Sequence, residues 1–138
     1  MARRLSVLIL LGLTLGLWGC GGSSSPIVGT WLPYRGQDPI PNAYVTYRAN
    51  GTMERTMSGK TQEGQQSMVS RGRWKIEGDK LTTTIEDIIV NGRSLEGLGR
   101  VQAIENMNLD NVQRIVFNGK DEFTLYYGDE SIRHVKQK

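Results

Sequence analysis

The sequence predicts an all-β fold, an antiparallel up-and-down barrel of about eight strands, with room for one short helix. Three observations carry that expectation. Tight-turn pairs recur along the chain at Asn50-Gly51, Gly78-Asp79, Asn91-Gly92, Asn118-Gly119 and Gly128-Asp129, and such pairs supply the positive φ that two-residue hairpins require. The runs between them are rich in β-branched and aromatic residues, and several alternate apolar with polar at period two. That alternation marks a sheet with one dry and one wet face. The connections are short, so sequential strands pair antiparallel. Eight such strands can close on themselves and remove their exposed edges; an open sandwich is the alternative.

Ile27 to Tyr34 forms the first strand, and Tyr44 to Tyr47 the second, which runs into the Asn50-Gly51 turn. Thr52 to Met57 returns from that turn. Ser58 to Gln66 is polar throughout and reads as a mobile loop. Met68 to Glu77 places Met68, Ser70, Gly72, Trp74 and Ile76 on one face, with Val69, Arg71, Arg73 and Lys75 on the other. Leu81, Thr83 and Ile85 continue the apolar side in the strand from Leu81 to Val90. Leu95, Leu98, Val101, Ile104 and Met107 recur at a spacing of three. This suits either a short amphipathic helix against a barrel end or an extended edge segment, because Gly97 and Gly99 weaken a helix. Val112 to Phe117, Glu122 to Tyr127 and Ser131 to Val135 form a closing meander, with Phe123, Leu125 and Tyr127 on one face.

A different kind of segment precedes the first strand. Met1-Ala2-Arg3-Arg4 is positive, and Leu5 to Leu17 is predominantly apolar. That is signal-peptide length, short of the ~18–20 apolar residues of a membrane span. Leu17-Trp18-Gly19-Cys20 follows, and it resembles the lipobox of bacterial lipoproteins. The resemblance implies cleavage before Cys20, lipidation of that cysteine and attachment to a membrane. In many Gram-negative members of that family an aspartate after the cysteine signals inner-membrane retention. Gly21 stands there instead, which implies the outer membrane in a two-membrane host. The expected organisation is a leader over residues 1–19, a lipidated cysteine with a flexible tether over 20–26, and a barrel domain over 27–138. Cys20 is the sole cysteine, so no internal disulfide can form.

The composition argues against several functions. The full chain carries a net charge of +3, and removing the leader with Arg3 and Arg4 leaves +1. No cluster of basic residues remains as a nucleic-acid footprint, so no nucleic-acid partner is expected. His134 is the single histidine, a poor start for a zinc site, and it reads as solvent-facing or at a rim. No Gly-x-Ser-x-Gly elbow supports a nucleophilic serine. The carboxylate pairs Glu86-Asp87, Asp121-Glu122 and Asp129-Glu130 are sequence neighbours, which on a strand point to opposite faces. No enzyme activity, cofactor or metal is expected.

The order of three motifs carries a second resemblance. Ile27-Val28-Gly29-Thr30-Trp31 opens the domain. Tyr47-Arg48-Ala49-Asn50-Gly51-Thr52-Met53 follows, and then Gly72-Arg73-Trp74-Lys75-Ile76-Glu77-Gly78-Asp79-Lys80-Leu81. Over roughly residues 27–136 this is similar to the lipocalin-like domains of small bacterial lipoproteins and to the wider calycin group, in which Gly-x-Trp starts the first strand. The resemblance implies a lipocalin-like barrel. It also implies that Trp31 packs at the closed end beneath an arginine of the last strand, for which Arg133 is the matching candidate. That pair would be structural.

Binding is the function class left standing. Met53, Arg55 and Met57 share one face of their strand, with Met68 and Trp74 on a neighbouring one. These side chains could line a cavity for a small apolar or amphiphilic ligand, or simply fill the core. An inward Arg55 needs a partner, so it sits near the rim, meets an internal carboxylate or meets an anionic ligand. The alternative is a protein-interaction module of a cell-envelope assembly, with a filled barrel and an active outer face.

Overall fold

The computed structural model describes residues 25–138. The leader over 1–19, Cys20 and most of the tether lie outside the described residues. The chain then runs through β1 (Gly29–Arg35), β2 (Asp38–Pro39), β3 (Ala43–Tyr47), β4 (Thr52–Thr61), β5 (Gly64–Glu77) and β6 (Lys80–Val90). It continues through β7 (Arg93–Ser94), α1 (Gly97–Asn106), β8 (Asn111–Phe117), β9 (Glu122–Tyr127) and β10 (Glu130–Lys136). Eight strands form a closed antiparallel barrel in the order β10-β9-β8-β6-β5-β4-β3-β1. The seam is the pairing of β1 with β10, where Trp31 lies opposite Lys136 and Tyr34 opposite Arg133. That closure excludes the open sandwich. The two-residue strands β2 and β7 attach to β1 and β6.

Gly78-Asp79, Asn91-Gly92 and Gly128-Asp129 form the expected two-residue turns, whereas Asn50-Gly51 and Asn118-Gly119 lie in four-residue connections. Asn91 and Gly92 both take positive φ, 50° and 80°, the geometry of a tight turn that matches strand twist. Ser58 to Gln66 departs from expectation. It is not a loop but the outer half of the β4–β5 hairpin, laddered from Ser58 opposite Ser67 to Thr61 opposite Gly64. Backbone hydrogen bonds hold a ladder without apolar side chains, so polarity alone did not distinguish a wet hairpin from a loop.

β6 changes parity partway along. Leu81, Thr83 and Ile85 are buried, then Ile88. A β-bulge accounts for the switch: Gly72 pairs with Ile85 but Arg71 with Asp87, leaving Glu86 as the extra residue. At the bulge the strands come so close that a Cβ on Gly72 would lie 2.0 Å from the Thr84 carbonyl oxygen.

The interior of the barrel is filled towards one end. Trp31, Tyr47, Met53, Leu81, Phe123 and Leu125 are all buried there. Trp31 meets Phe123 edge-on at 4.6 Å between centroids, and its Nε1–H donates to the Ile27 carbonyl at 2.7 Å. Residues entering β1 thus seal this closed end. The segment Leu95–Met107 resolves as the helix α1, with Leu95, Ala103 and Ile104 packed against the core and Leu109 buried just beyond. It lies over the rim of the opposite, open end.

The pair expected at the closed end is corrected. Arg133 does not cover Trp31. It lies on the face opposite His134, over the Tyr34 ring at 4.8 Å, and its Nη1 donates to Glu122 Oε1 at 2.8 Å. The cation over Trp31 is Lys136, three residues later. The seam register is the reason: it sets Lys136 opposite Trp31, and strand alternation turns Arg133 outward.

Candidate functional site

The open end holds a cavity of about 360 Å³. Its position follows from strand alternation. Met53 is 1% exposed inside the barrel, and Arg55 and Met57 follow it on the same face of β4. Arg55 sits between Val45 of β3 and Ser70 of β5 in the register. β9 and β10 add Tyr127, Ile132 and His134, and Met107 reaches in from the end of α1. Arg35 stands at the mouth.

The charge of this lining is one-sided. Two guanidinium groups, Arg35 and Arg55, line the cavity, and among the described residues no carboxylate does. Among the described residues Arg55 takes part in no ion pair. His134 adds no charge near neutral pH. It is 5% exposed and stacks on Phe123 at 4.6 Å with the rings 9° apart. Burial pulls it down to about 4 from 6.5; a hydrogen bond from Nδ1–H to the Ile132 carbonyl, 3.2 Å long, opposes that, and the Arg55 charge adds to it.

The barrel interior contains polar atoms without partners, among them Ser70, which lies opposite Arg55 in the register. The Tyr47 hydroxyl, the Ser70 hydroxyl and both amide atoms of Gln113 are buried and make no hydrogen bond. Burial pushes Tyr47 up to about 12 from 10.0, and the nearby Arg55 charge holds it back partway. The guanidinium is thus close to Tyr47, yet the two form no hydrogen bond of good geometry. Each unpartnered buried group costs about 1–3 kcal/mol.

Of the residues singled out for ligand binding, the cavity brings together Arg55 and Met57. Met68 lines an adjoining groove that shares Met57 and Met107 with the cavity. Met53 and Trp74 do not belong to the site. Met53 is core, and Trp74 packs edge-on to Tyr47 at 5.9 Å with its Nε1–H donating to the Arg48 carbonyl at 3.0 Å. Both sit nearer the closed end, because β4 and β5 are longer than the cavity is deep. His134, expected at a solvent-facing or rim position, is buried. Its signal was present in the alternation of Ile132, His134 and Lys136, but a lone histidine masks an inward face. Met107 carried a signal only as the last of the apolar residues at spacing three, and Arg35, which ends a strand, carried none.

Among the described residues, no group of three or more histidine, cysteine, aspartate or glutamate side chains could hold a metal ion. No family model matches the chain, and no curated protein matches it. Solved structures are similar, two of them from Bacteroides species. One is a lipocalin-like protein from Bacteroides uniformis ATCC 8492, 9% identical, with a TM-score of 0.54 over 82% of this chain and 100% of that one. The other is an uncharacterized protein from Bacteroides eggerthii DSM 20697, 13% identical, with a TM-score of 0.51 over 80% of this chain and 99% of that one. At these identities the likeness concerns the fold, which is a lipocalin-like barrel.

Proposed function

We propose that this barrel binds a small amphiphile with an acidic head at its open end, while Cys20 anchors the chain to a membrane of the cell envelope. One observation carries the binding half: an apolar cavity is lined by Arg35 and Arg55 and, among the described residues, by no carboxylate. A partly buried guanidinium is costly without an anion, and a carboxylate or phosphate meets it through charge-assisted, bidentate hydrogen bonds. Met57, Met107 and Ile132 suit the apolar body of such a ligand, thioethers adapting readily to irregular shapes. The anchoring half rests on Leu17-Trp18-Gly19-Cys20. Ile27 enters at the closed end, so the mouth lies at the far end from the tether. The protein acts by holding its ligand, not by transforming it.

Titration calorimetry of the purified protein with dodecanoate and dodecanol tests the binding reading. The acid binds saturably and at least about ten-fold more tightly than the alcohol, a difference of one charge-assisted contact. Arg55→Gln removes that preference, and Arg55→Lys retains part of it. Absence of saturable binding by either probe overturns the reading. Exposed Leu98 and Val112, at 70% and 62%, favour the second reading, an interaction module of an envelope assembly. A partner captured through Leu98 or Val112, together with no amphiphile binding, replaces the first reading with the second.

A further inference from the structure

We propose that the ligand's tail leaves Arg55 sideways and lies beneath the β4–β5 hairpin, so that the site selects single-chain amphiphiles by chain length. This rests on the binding reading above and specifies its second half.

The route down the barrel is closed. Tyr47, Met53, Trp31 and Phe123 fill the interior past Arg55, and the floor carries the unpartnered Tyr47 hydroxyl, a poor neighbour for methylene groups. The route sideways is open. A groove of about 390 Å³ adjoins the Arg55 cavity, and Met57 and Met107 line both. Its apolar wall is one row across three strands: Met57 pairs with Met68, and Met68 with Val90. Met107 faces that row from the end of α1.

The hairpin provides the space. Gly59 follows Met57 by two residues, and a Cβ built on it meets nothing within 4 Å. The absent side chain leaves the groove open where Met57 would otherwise be followed by another inward residue. Farther out the groove turns polar, with Lys60, Thr61 and Gln66 near the hairpin tip. A charged end at Arg55, an apolar middle and a polar exit describe a track for one chain of limited length. The groove gives one chain a track beside Arg55.

Gly59 also makes the test clean. Its φ is not positive, so a strand-forming side chain fits the backbone and projects into open space. Hexanoate and dodecanoate are titrated into the purified parent, Gly59→Phe and Lys60→Ala by calorimetry, with unfolding midpoints recorded for each. The parent binds dodecanoate at least about ten-fold more tightly than hexanoate, since six further methylenes are buried. Gly59→Phe binds hexanoate like the parent but keeps less than about three-fold of the dodecanoate advantage. Lys60→Ala, at the polar exit of the track, still binds both acids, because the acidic head sits at Arg55. A Gly59→Phe protein with the full dodecanoate advantage overturns the tail assignment, as does loss of both acids in Lys60→Ala, which would put the head at the hairpin. A parent that binds both acids equally keeps the Arg55 site and removes the groove. A parent that binds neither removes the binding reading itself.

Discussion

The Lys136 ammonium lies 5.3 Å from the centre of the Trp31 ring, across the seam that closes the barrel. The two strands meet there with Trp31 directly opposite Lys136. Gly29 makes room for it: a Cβ at that position would lie 2.8 Å from Lys136 Cε. The contact therefore joins the start and end of the domain at its sealed end, where Trp31 is fully buried.

Trp31→Ala is expected to destabilise the fold by about 3–5 kcal/mol, as for a large core aromatic. A double-mutant cycle between Trp31 and Lys136, measured by urea unfolding, should give a coupling above about 0.5 kcal/mol. The same cycle with Arg133 should give nearly none. Coupling to Arg133 in place of Lys136 would contradict the seam register.

Gly72→Ala should be costly for its size. The added methyl meets the Thr84 carbonyl at 2.0 Å and Ile85 Cα at 2.9 Å, so the bulge must open or β6 must shift. A loss of about 1–3 kcal/mol or more is expected from such overpacking. Gly59→Ala, where the methyl meets nothing, is the matched control and should cost little. Equal effects at the two positions would argue against the bulge geometry.

His134 gives the fold a pH dependence of known sign. In the native barrel burial lowers it to about 4 from 6.5. Between those values the unfolded chain holds the extra proton, so stability rises with pH across this window. The contribution is complete above 6.5 and is lost as pH falls to 4, by about 3 kcal/mol at most. His134→Phe, which preserves an aromatic ring against Phe123, should flatten that stretch of a stability-versus-pH curve. An unchanged slope would assign the titration to another group.

Cys20→Ser in the full chain should abolish incorporation of labelled fatty acid and leave the precursor uncut or release the protein from membranes. Equal labelling of variant and parent would remove the anchor from the proposed function.

Much of the candidate site was legible before the fold was known. Arg55 reads as inward because Met53 and Met57 flank it at period two, and no feature of the third dimension is needed for that inference. Trp74 reads as inward by the same rule and correctly so, yet it lies outside the cavity. Alternation reports the face of a residue but not its height along the barrel. Height depends on stagger between strands, and on β4 and β5 that stagger places Met53 and Trp74 at the sealed end.

The sequence by itself determined most of the strands and turns, though not the Ser58–Gln66 hairpin, and the inward face of β4, though not that of β10, where His134 reads as outward. These are properties of φ preference and period-two alternation, both confined to a few neighbouring residues. The tertiary structure alone decided that β1 meets β10, that Lys136 and not Arg133 covers Trp31, and that His134 lies beside Arg55. It also decided that Met107 reaches the mouth from the end of α1. Each of these joins residues far apart in the chain through the closure and stagger of the barrel. Closure and stagger are set by the packing of all eight strands together, and no local stretch of sequence carries them.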